Sequence, residues 1–168
     1  MLREASDHFL SNNFQVTLVG RDQEKLSYFT KKYPEKNIEV IVQDYRDTNA
    51  FIGSIKTIIG KNGAYEIIVC WIHSDAANSL LQLIDLISNS NPGAVFYHIK
   101  GISSQDLPTG IDLNSKLDYR EIYLGFKRTN DTSRWLTHHE ISSGIIEAVV
   151  SDKNKFVVGQ TVPRALMP

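Results

Sequence analysis

Polar residues that could bind a ligand stand directly after apolar segments that the sequence predicts to be β-strands. Arg21 follows FQVTLVG, and Asp44 and Tyr45 follow IEVIVQ. An arginine at such a place can hold a phosphate group, and an aspartate can accept a hydrogen bond from an amino group while the tyrosine ring packs nearby. Two structural alternatives stay open. Arg21 can be a solvated residue at a helix start beside Asp22, and Asp44 can cap the following helix.

A second group of candidate residues ends the most apolar segment of the chain, YEIIVCWI (65–72). Such a segment is typical of a strand that is covered on both faces. In open α/β folds, ligands bind outside the carboxyl ends of the strands. We therefore predict that Trp71, Ile72, His73 and Ser74 contact a ligand. Alternatively, Ser74 is only a helix cap and His73 only a loop residue.

The other reactive residues favour structural roles. Cys70 is the single cysteine, which excludes an internal disulfide and a cysteine-cluster metal site. Its apolar neighbours predict a buried, inert thiol. His98 is expected to be a hydrogen-bonded histidine of the core. The adjacent His138 and His139 point to different faces of a helix, which is poor geometry for a metal ion, so we predict no metal site.

The composition is that of a soluble globular protein, with 42% hydrophobic and 22% charged residues. The 168 residues suffice for one domain with an ordinary core, and we predict a single domain over 1–168. With 18 basic and 19 acidic residues, the chain has no basic excess for a nucleic-acid partner. No apolar stretch reaches the roughly 18 residues of a membrane span, and no signal-peptide pattern opens the chain. We therefore expect a cytoplasmic protein without a membrane partner.

Strands and helices are predicted to alternate along the chain. Strands are predicted at 14–20, 38–43, 65–72, 94–99, 120–126 and 155–162. Helices are predicted at 2–13, from Asp22 to about 33, from Asp47 or Thr48 to about 59, from Ser74 or Asp75 to about 88, and from the T-x-x-E capping box at Thr137 to 150. This alternation indicates an α/β fold with a doubly wound, mostly parallel sheet and helices on both faces.

Two motifs, VGRDQEKL (19–26) and VQDYRD (42–47), resemble segments of the short-chain dehydrogenase/reductase family of Rossmann-like, NAD(P)-binding proteins. VGRDQEKL (19–26) resembles that family's second strand and following turn, and VQDYRD (42–47) resembles its third strand, which ends in an acidic residue near the adenine. CWIHS (70–74) occupies the place where the family usually has Asn-Ala-Gly. The resemblance covers residues 1–100 well and the remainder loosely. It implies a Rossmann-like fold.

The resemblance also implies that the family's first strand and glycine-rich loop are absent, because the helix at 2–13 aligns with the family's first helix. That strand would be central, between the strands at 14–20 and 65–72, and the loop would present backbone N–H groups to a pyrophosphate. Three explanations are open: a start assigned too far downstream, a truncated gene product, or a sheet in which those two strands pair directly. We expect one of the first two, since no replacement strand is evident. Exposed sheet edges also make self-association an expectation.

The family's catalytic residues have no firm counterpart. The family uses a Tyr-x-x-x-Lys pair on one helix, in which the lysine lowers the pKa of the tyrosine for proton transfer. Tyr123 and Lys127 have this spacing, but REIYLGFK (120–127) alternates like a strand, on which they would lie about 13 Å apart. We predict that the match is coincidental. Ser103 and Ser104 resemble the region of the catalytic serine, and chance placement in a serine-rich loop explains them equally well.

The resemblance implies an NAD(P)(H)-dependent oxidoreductase with a small-molecule substrate. Arg21 favours NADP(H) over NAD(H), because an arginine after the second strand accommodates a 2′-phosphate, whereas an acid there binds the ribose hydroxyl. Asp44, Tyr45 and the residues at 71–74 complete the predicted cofactor contacts. The alternative is a catalytically silent dinucleotide-binding or interaction module, which the lack of a Tyr-x-x-x-Lys helix supports.

Overall fold

The computed structural model describes residues 1–101, 117–129 and 132–161. Its helices are α1 (Arg3–Ser11), α2 (Gln23–Lys32), α3 (Thr48–Asn62), α4 (Ala77–Ser90) and α5 (His138–Val150), with a short 3₁₀ turn at Ser74–Ala76 before α4. Its strands are β1 (Val16–Gly20), β2 (Ile38–Val42), β3 (Ile67–Cys70), β4 (Val95–Gly101), β5 (Asp118–Leu124), β6 (Phe126–Thr129), β7 (Thr132–Trp135) and β8 (Lys155–Val158). None of these described helices is both long and apolar enough to cross a membrane.

The described strands form three groups. β3, β4, β5 and β8 form a four-stranded parallel sheet in the order β3-β4-β5-β8, and β1 pairs with β2 in a separate parallel pair. β6 and β7 form an antiparallel hairpin. The predicted α/β fold with a mostly parallel sheet is confirmed.

The inner edges of β1 and β3 are unpaired within the described ranges. β1 is hydrogen bonded to β2 alone, and β3 is hydrogen bonded to β4 alone. Of the three explanations considered from the sequence, direct pairing of these two strands is therefore not the arrangement observed. Helix α1 packs beside both strands and contributes to the apolar clusters on each.

Helices cover both faces of the strands, as the alternating pattern predicts. One face of the four-stranded sheet is covered by α3 and α4, whose buried side chains include Phe51, Ile55, Leu80, Leu83, Ile84 and Ile87. The opposite face is covered by α1 and α5, through Ala5, Ile141, Ile145 and Ala148. β1 and β2 pack against α1 and α2 in a smaller cluster of Leu10, Leu18, Leu26 and Phe29.

Polar side chains cap three of the helices at their N-terminal ends. Asp22 and Asp47 each accept a hydrogen bond from the backbone N–H three residues later, at 3.1 Å and 3.2 Å. Thr137 and Glu140 form the predicted capping box, with both reciprocal bonds present. These caps satisfy backbone donors that a helix leaves without partners in its first turn.

The predicted cap of the fourth helix is wrong. α4 begins at Ala77, after the 3₁₀ turn, and no side chain caps either element. The carboxylate of Asp75 instead accepts a hydrogen bond from Arg46. The helix start is therefore set by the preceding turn and by the burial of the apolar residues that follow.

The strand predicted at 120–126 ends early because of Gly125. A Cβ atom at this position would overlap the backbone carbonyl of Gln160, so only glycine permits this approach of two backbone segments. The chain bends here and continues into the β6–β7 hairpin, which the sequence analysis did not predict. The last strand is also shorter than the predicted 155–162. It ends at Val158, and Gln160 makes an isolated antiparallel bridge to Phe126.

Candidate functional site

The ends of β1, β2 and β3 carry most of the residues predicted to bind a ligand. Arg21 follows β1 and Asp44 lies two residues past β2. The side chain of Arg46 reaches from the end of β2 to the segment after β3, where its Nε atom donates to Oδ2 of Asp75 at 2.9 Å. We call Arg21, Asp44, Arg46 and Asp75 the carboxyl-edge cluster.

Asp44 occupies the middle of the carboxyl-edge cluster. Its Oδ1 atom accepts a hydrogen bond from the backbone N–H of Arg46 at 3.0 Å, and its Oδ2 atom lies 3.4 Å from Nη1 of Arg21. The backbone hydrogen bond, helped by the charges of both arginines, holds the pKa of Asp44 below its usual value. The alternative of Asp44 as a helix cap is wrong, since Asp47 caps α3. Asp44 instead closes a short turn and keeps a negative charge at the strand end.

Arg21 is the most accessible member of the carboxyl-edge cluster, with 67% of its side chain exposed. Its contact with Asp44 is long and solvated, and such surface pairs stabilise a fold by less than about 1 kcal/mol. The neighbouring Asp22 is engaged elsewhere, as the cap of α2 and in an ion pair with Lys25 at 2.7 Å. The guanidinium of Arg21 can therefore turn towards an anion without breaking a strong interaction.

Arg46 and Asp75 were not among the residues that the sequence predicted for the site. Arg46 bonds Asp75, approaches Asp44 at 3.7 Å, and places its guanidinium 5.2 Å from the ring centroid of Tyr45. The hydrogen bond to Asp75 raises the pKa of Arg46, so the guanidinium stays charged. Tyr45 also packs against the core cluster under α3 and α4, which fixes the ring between the core and the cluster.

The four residues after β3 differ in what they offer a ligand. Ile72 is 7% exposed and belongs to the core, so its side chain is not available to a ligand. Trp71 packs on the α1 and α5 side of the sheet, with its ring centroid 5.8 Å from that of His73. His73 and Ser74 are exposed. These two residues and the carboxyl-edge cluster form the accessible part of the predicted site.

A second polar group lies on the sheet face that α3 and α4 cover, and the sequence analysis did not anticipate it. Lys100 on β4 forms an ion pair with Glu121 on β5, and their side chains are only 5% and 14% exposed. Lys155 of β8 lies 3.5 Å from the same carboxylate. Burial alone would raise the pKa of Glu121, but Lys100, a hydrogen bond from Tyr123 and the charge of Lys155 lower it overall.

His98 and Tyr119 extend this polar group towards the core. Nδ1 of His98 lies 2.6 Å from the hydroxyl of Tyr119. Burial, with a smaller contribution from Lys100, lowers the pKa of His98 to about 4. The imidazole is therefore neutral at ordinary pH, and the prediction of a hydrogen-bonded core histidine is confirmed.

Tyr123 and Lys127 do not form a helical catalytic pair. Tyr123 lies on β5 and Lys127 on β6, beyond the bend at Gly125. Lys127 pairs with Glu140 at 2.6 Å. Lys100 lies near Tyr123, with its Nζ atom 5.7 Å from the centre of the ring. Ser103 and Ser104 lie outside the described residues.

Two further reactive residues, Cys70 and His139, have defined surroundings in the structure. Burial raises the pKa of the Cys70 thiol well above its usual value, so the thiolate is disfavoured. His139 lies 2.6 Å from Glu4 of α1. Across the described ranges, no group of three or more histidine, cysteine or acidic side chains is arranged to hold a metal ion.

Comparison with known proteins gives similarity in structure and none in sequence. No protein-family model matches the chain, and no curated protein sequence matches it. A solved structure from Aeromonas hydrophila subsp. hydrophila, assigned to the short chain dehydrogenase/reductase family, superposes with a TM-score of 0.67 at 11% identity, covering 96% of this chain and 93% of its own. A short chain oxidoreductase from Pseudomonas aeruginosa, in apo form and with an atypical catalytic centre, has a TM-score of 0.63 at 12% identity and coverages of 95% and 92%.

A third similar structure is an alcohol dehydrogenase from the archaeon Thermococcus sibiricus in complex with 5-hydroxy-NADP. Its TM-score is 0.64 at 13% identity, and the match covers 95% of this chain and 92% of that one. The mostly parallel sheet, with helices on both faces, places the chain in the Rossmann-like class of α/β folds. More particularly, the fold is that of short-chain dehydrogenase/reductase structures. The resemblance first detected in the sequence motifs is confirmed at the level of the fold.

Proposed function

We propose that the chain binds a nicotinamide dinucleotide at the carboxyl-edge cluster, with NADP(H) preferred over NAD(H), as part of a short-chain-type oxidoreductase that acts on a small molecule. The observation that carries this proposal is the position of Arg21. It directly follows β1 and is largely exposed, and among the described residues its one polar side-chain contact is the long one to Asp44. In Rossmann-like folds, an arginine after the equivalent strand accommodates the 2′-phosphate of NADP. The complex of the similar archaeal alcohol dehydrogenase with 5-hydroxy-NADP supports the choice of cofactor class.

Other residues of the edge have distinct parts in this proposal. Asp44 accepts a hydrogen bond from the adenine amino group, and the ring of Tyr45 packs beside it. Arg46 orients Asp44 through its backbone N–H and holds the segment after β3 through Asp75. The ribose and nicotinamide side is lined by Trp71, His73, Ser74 and the backbone of Ile72.

Cofactor titration of the purified chain tests the proposal. We expect NADPH to bind more tightly than NADH in isothermal titration calorimetry. Arg21→Ala should weaken NADPH about tenfold or more, because a hydrogen bond to a charged group contributes roughly 1.5–3 kcal/mol. NADH should be unaffected by this substitution. Lys31→Ala is the matched control, since Lys31 is an exposed cation in the last turn of α2, away from the cluster. Equal affinity for the two cofactors would contradict the assignment of Arg21.

A catalytically silent dinucleotide-binding module is the second candidate function. It is favoured by the position of Tyr123 and Lys127 on different strands. Turnover distinguishes the two candidates: NADPH consumption is measured with a panel of aldehydes and ketones, for the wild type and for Tyr123→Phe. An oxidoreductase that uses Tyr123 as its proton donor loses kcat in the variant but retains its cofactor affinity. Binding of NADPH without turnover of any carbonyl supports the silent module.

A further inference from the structure

The charges of the carboxyl-edge cluster alternate in sign across the strand ends. Nη1 of Arg21 lies 3.4 Å from Oδ2 of Asp44, and Oδ1 of Asp44 lies 3.7 Å from Nη1 of Arg46. Nε of Arg46 in turn donates to Oδ2 of Asp75 at 2.9 Å. The cluster is therefore neutral as a whole, and Asp44 and Arg46 each lie between two charges of the opposite sign.

Asp44 has the most shielded side chain of the three residues at the centre of this cluster. It is 33% exposed, against 67% for Arg21 and 42% for Arg46. The backbone N–H of Arg46 donates to its carboxylate at 3.0 Å, and this bond is the main cause of its lowered pKa. Because the donor belongs to the main chain, a change of side chain at position 46 leaves the bond in place. A negative charge therefore stays beside Arg21 in such a variant.

This negative charge opposes the binding of a 2′-phosphate by Arg21. In dinucleotide-binding folds, an acid at this edge binds the ribose 2′-hydroxyl, whereas an arginine accommodates the 2′-phosphate. Arg21 and Asp44 bring both kinds of group together. A phosphate monoester carries close to two negative charges, so Arg21 attracts it and Asp44 repels it. The preference between the two cofactors then depends on how far the charge of Asp44 is compensated.

Arg46 is in position to compensate the charge of Asp44. Among the described residues, Arg21 and Arg46 are the two cations that pair with this carboxylate. When Arg21 turns towards a phosphate, Arg46 remains. Asp75 and the ring of Tyr45, whose centroid is 5.2 Å from the guanidinium, hold Arg46 at this place.

We propose, on the basis of the dinucleotide binding proposed above, that Arg46 is a second determinant of cofactor selectivity and acts through Asp44. Its charge compensates the carboxylate and so allows Arg21 to hold the 2′-phosphate of NADP(H). Arg46 is thus a positioning residue that does not itself contact the phosphate. Asp75 has the opposite effect, because it draws the guanidinium of Arg46 away from Asp44.

The ratio of the dissociation constants of NADH and NADPH measures this selectivity, because contacts that both cofactors make cancel in the ratio. Calorimetric titration at a salt concentration of about 20 mM keeps the screening of exposed charges weak. Arg46→Met should lower the ratio about fivefold, since charges roughly 6 Å apart interact appreciably even in water. Arg46→Lys keeps the charge and should retain most of the wild-type ratio. Asp75→Asn should raise the ratio about twofold.

A double-mutant cycle tests whether Arg46 acts through Asp44. Asp44→Asn keeps an oxygen that can accept from the backbone N–H of Arg46 but removes the charge, so it should raise the ratio. In this background, Arg46→Met should have little further effect, because no carboxylate is left to compensate. An equal effect of Arg46→Met in both backgrounds would show that Arg46 contacts the phosphate directly.

Salt dependence and a charge-matched variant separate this role from a structural one. At a salt concentration of about 0.5 M, the effect of Arg46→Met on the ratio should shrink, because exposed charges are then screened over a few ångströms. A merely structural role of Arg46 would weaken both cofactors equally at either salt concentration. Lys31→Met removes the same charge from an exposed position in the last turn of α2, and it should leave the ratio unchanged.

Three results would overturn the assignment of Arg46 while the proposed dinucleotide binding stands. They are an unchanged ratio in Arg46→Met, an equal effect of this substitution with and without Asp44, and an equal effect of Lys31→Met. Failure of the wild type to bind either dinucleotide is a different outcome. It would refute the proposed function, and the assignment of Arg46 with it.

Discussion

Replacement of Lys100 by methionine should destabilise the protein strongly, mainly because Glu121 then stays buried without its ion-pair partner. Lys100 and Glu121 form an ion pair with side chains 5% and 14% exposed. Methionine preserves most of the volume but removes the charge. Loss of one partner of a buried pair typically costs 3–5 kcal/mol, because the other charge stays buried without compensation. Lys155, 3.5 Å from Glu121 but 75% exposed, replaces part of the lost charge, so we expect about 3 kcal/mol, or roughly 6–12 °C in Tm.

The destabilisation should depend on pH in a direction that the local charges fix. In the wild type, the pKa of Glu121 in the folded state lies below its unfolded value of about 4.3. The pair's contribution is therefore present above that pH and is lost as the pH falls through the folded-state pKa. Without Lys100, burial dominates and raises the folded-state pKa of Glu121 above the unfolded value. The deficit of Lys100→Met should then be largest near about pH 7 and shrink towards about pH 4.

Urea denaturation at several pH values measures this effect. Lys155→Met is the matched control, because it removes an exposed cation from the same carboxylate and should cost less than about 1 kcal/mol. Addition of Glu121→Gln to Lys100→Met should recover most of the loss, since the buried charge is gone. Equal midpoints for Lys100→Met and Lys155→Met, or a deficit that is constant with pH, would refute the reasoning.

Three further predictions concern single residues. Gly125→Ala should cost about 2 kcal/mol or more in the free energy of unfolding, because its Cβ would overlap the carbonyl of Gln160. The control Gly53→Ala, in open space on α3, should instead be neutral or stabilising by up to about 1 kcal/mol. Equal effects of the two substitutions would contradict this account. Thr137→Ala removes the cap of α5 and should cost about 1 kcal/mol in chemical denaturation, with rescue by Thr137→Ser. Cys70 should resist iodoacetamide in the native protein and react on addition of denaturant, since burial raises the pKa of its thiol. Rapid labelling of the native protein would contradict this prediction, because it would show that the thiol is accessible.

Features of the fold that depend on local sequence could be predicted, and those that depend on distant contacts could not. Asp22, Asp47 and Thr137 mark helix starts through hydrogen bonds that span three residues. The bend at Gly125 has a different origin. It depends on the approach of Gln160, which is 35 positions away in the chain. No local pattern could reveal that contact, so the hairpin that follows the bend was missed.

In the candidate site, too, features set by local sequence could be predicted and contacts between distant residues could not. The strand ends were located from apolar segments, which led to Arg21 and Asp44. The contact between Arg46 and Asp75 crosses 29 residues and depends on how the ends of β2 and β3 come together. The pairing of Lys100 with Glu121 depends on the register of β4 against β5, in which Glu121 stands opposite His98. Neither arrangement has a signal in the spacing of residues along the chain.

The separation of β1 and β2 from the four-stranded sheet has a consequence for folding cooperativity. No backbone ladder among the described residues transmits stability from one sheet to the other. The smaller sheet is joined by helix packing and by isolated bonds such as that from Tyr65 to Thr17. Such a segment can open as a unit of its own, at a lower free energy than global unfolding. The amides of β1 and β2 should therefore exchange by a sub-global opening that leaves β4 and β5 protected.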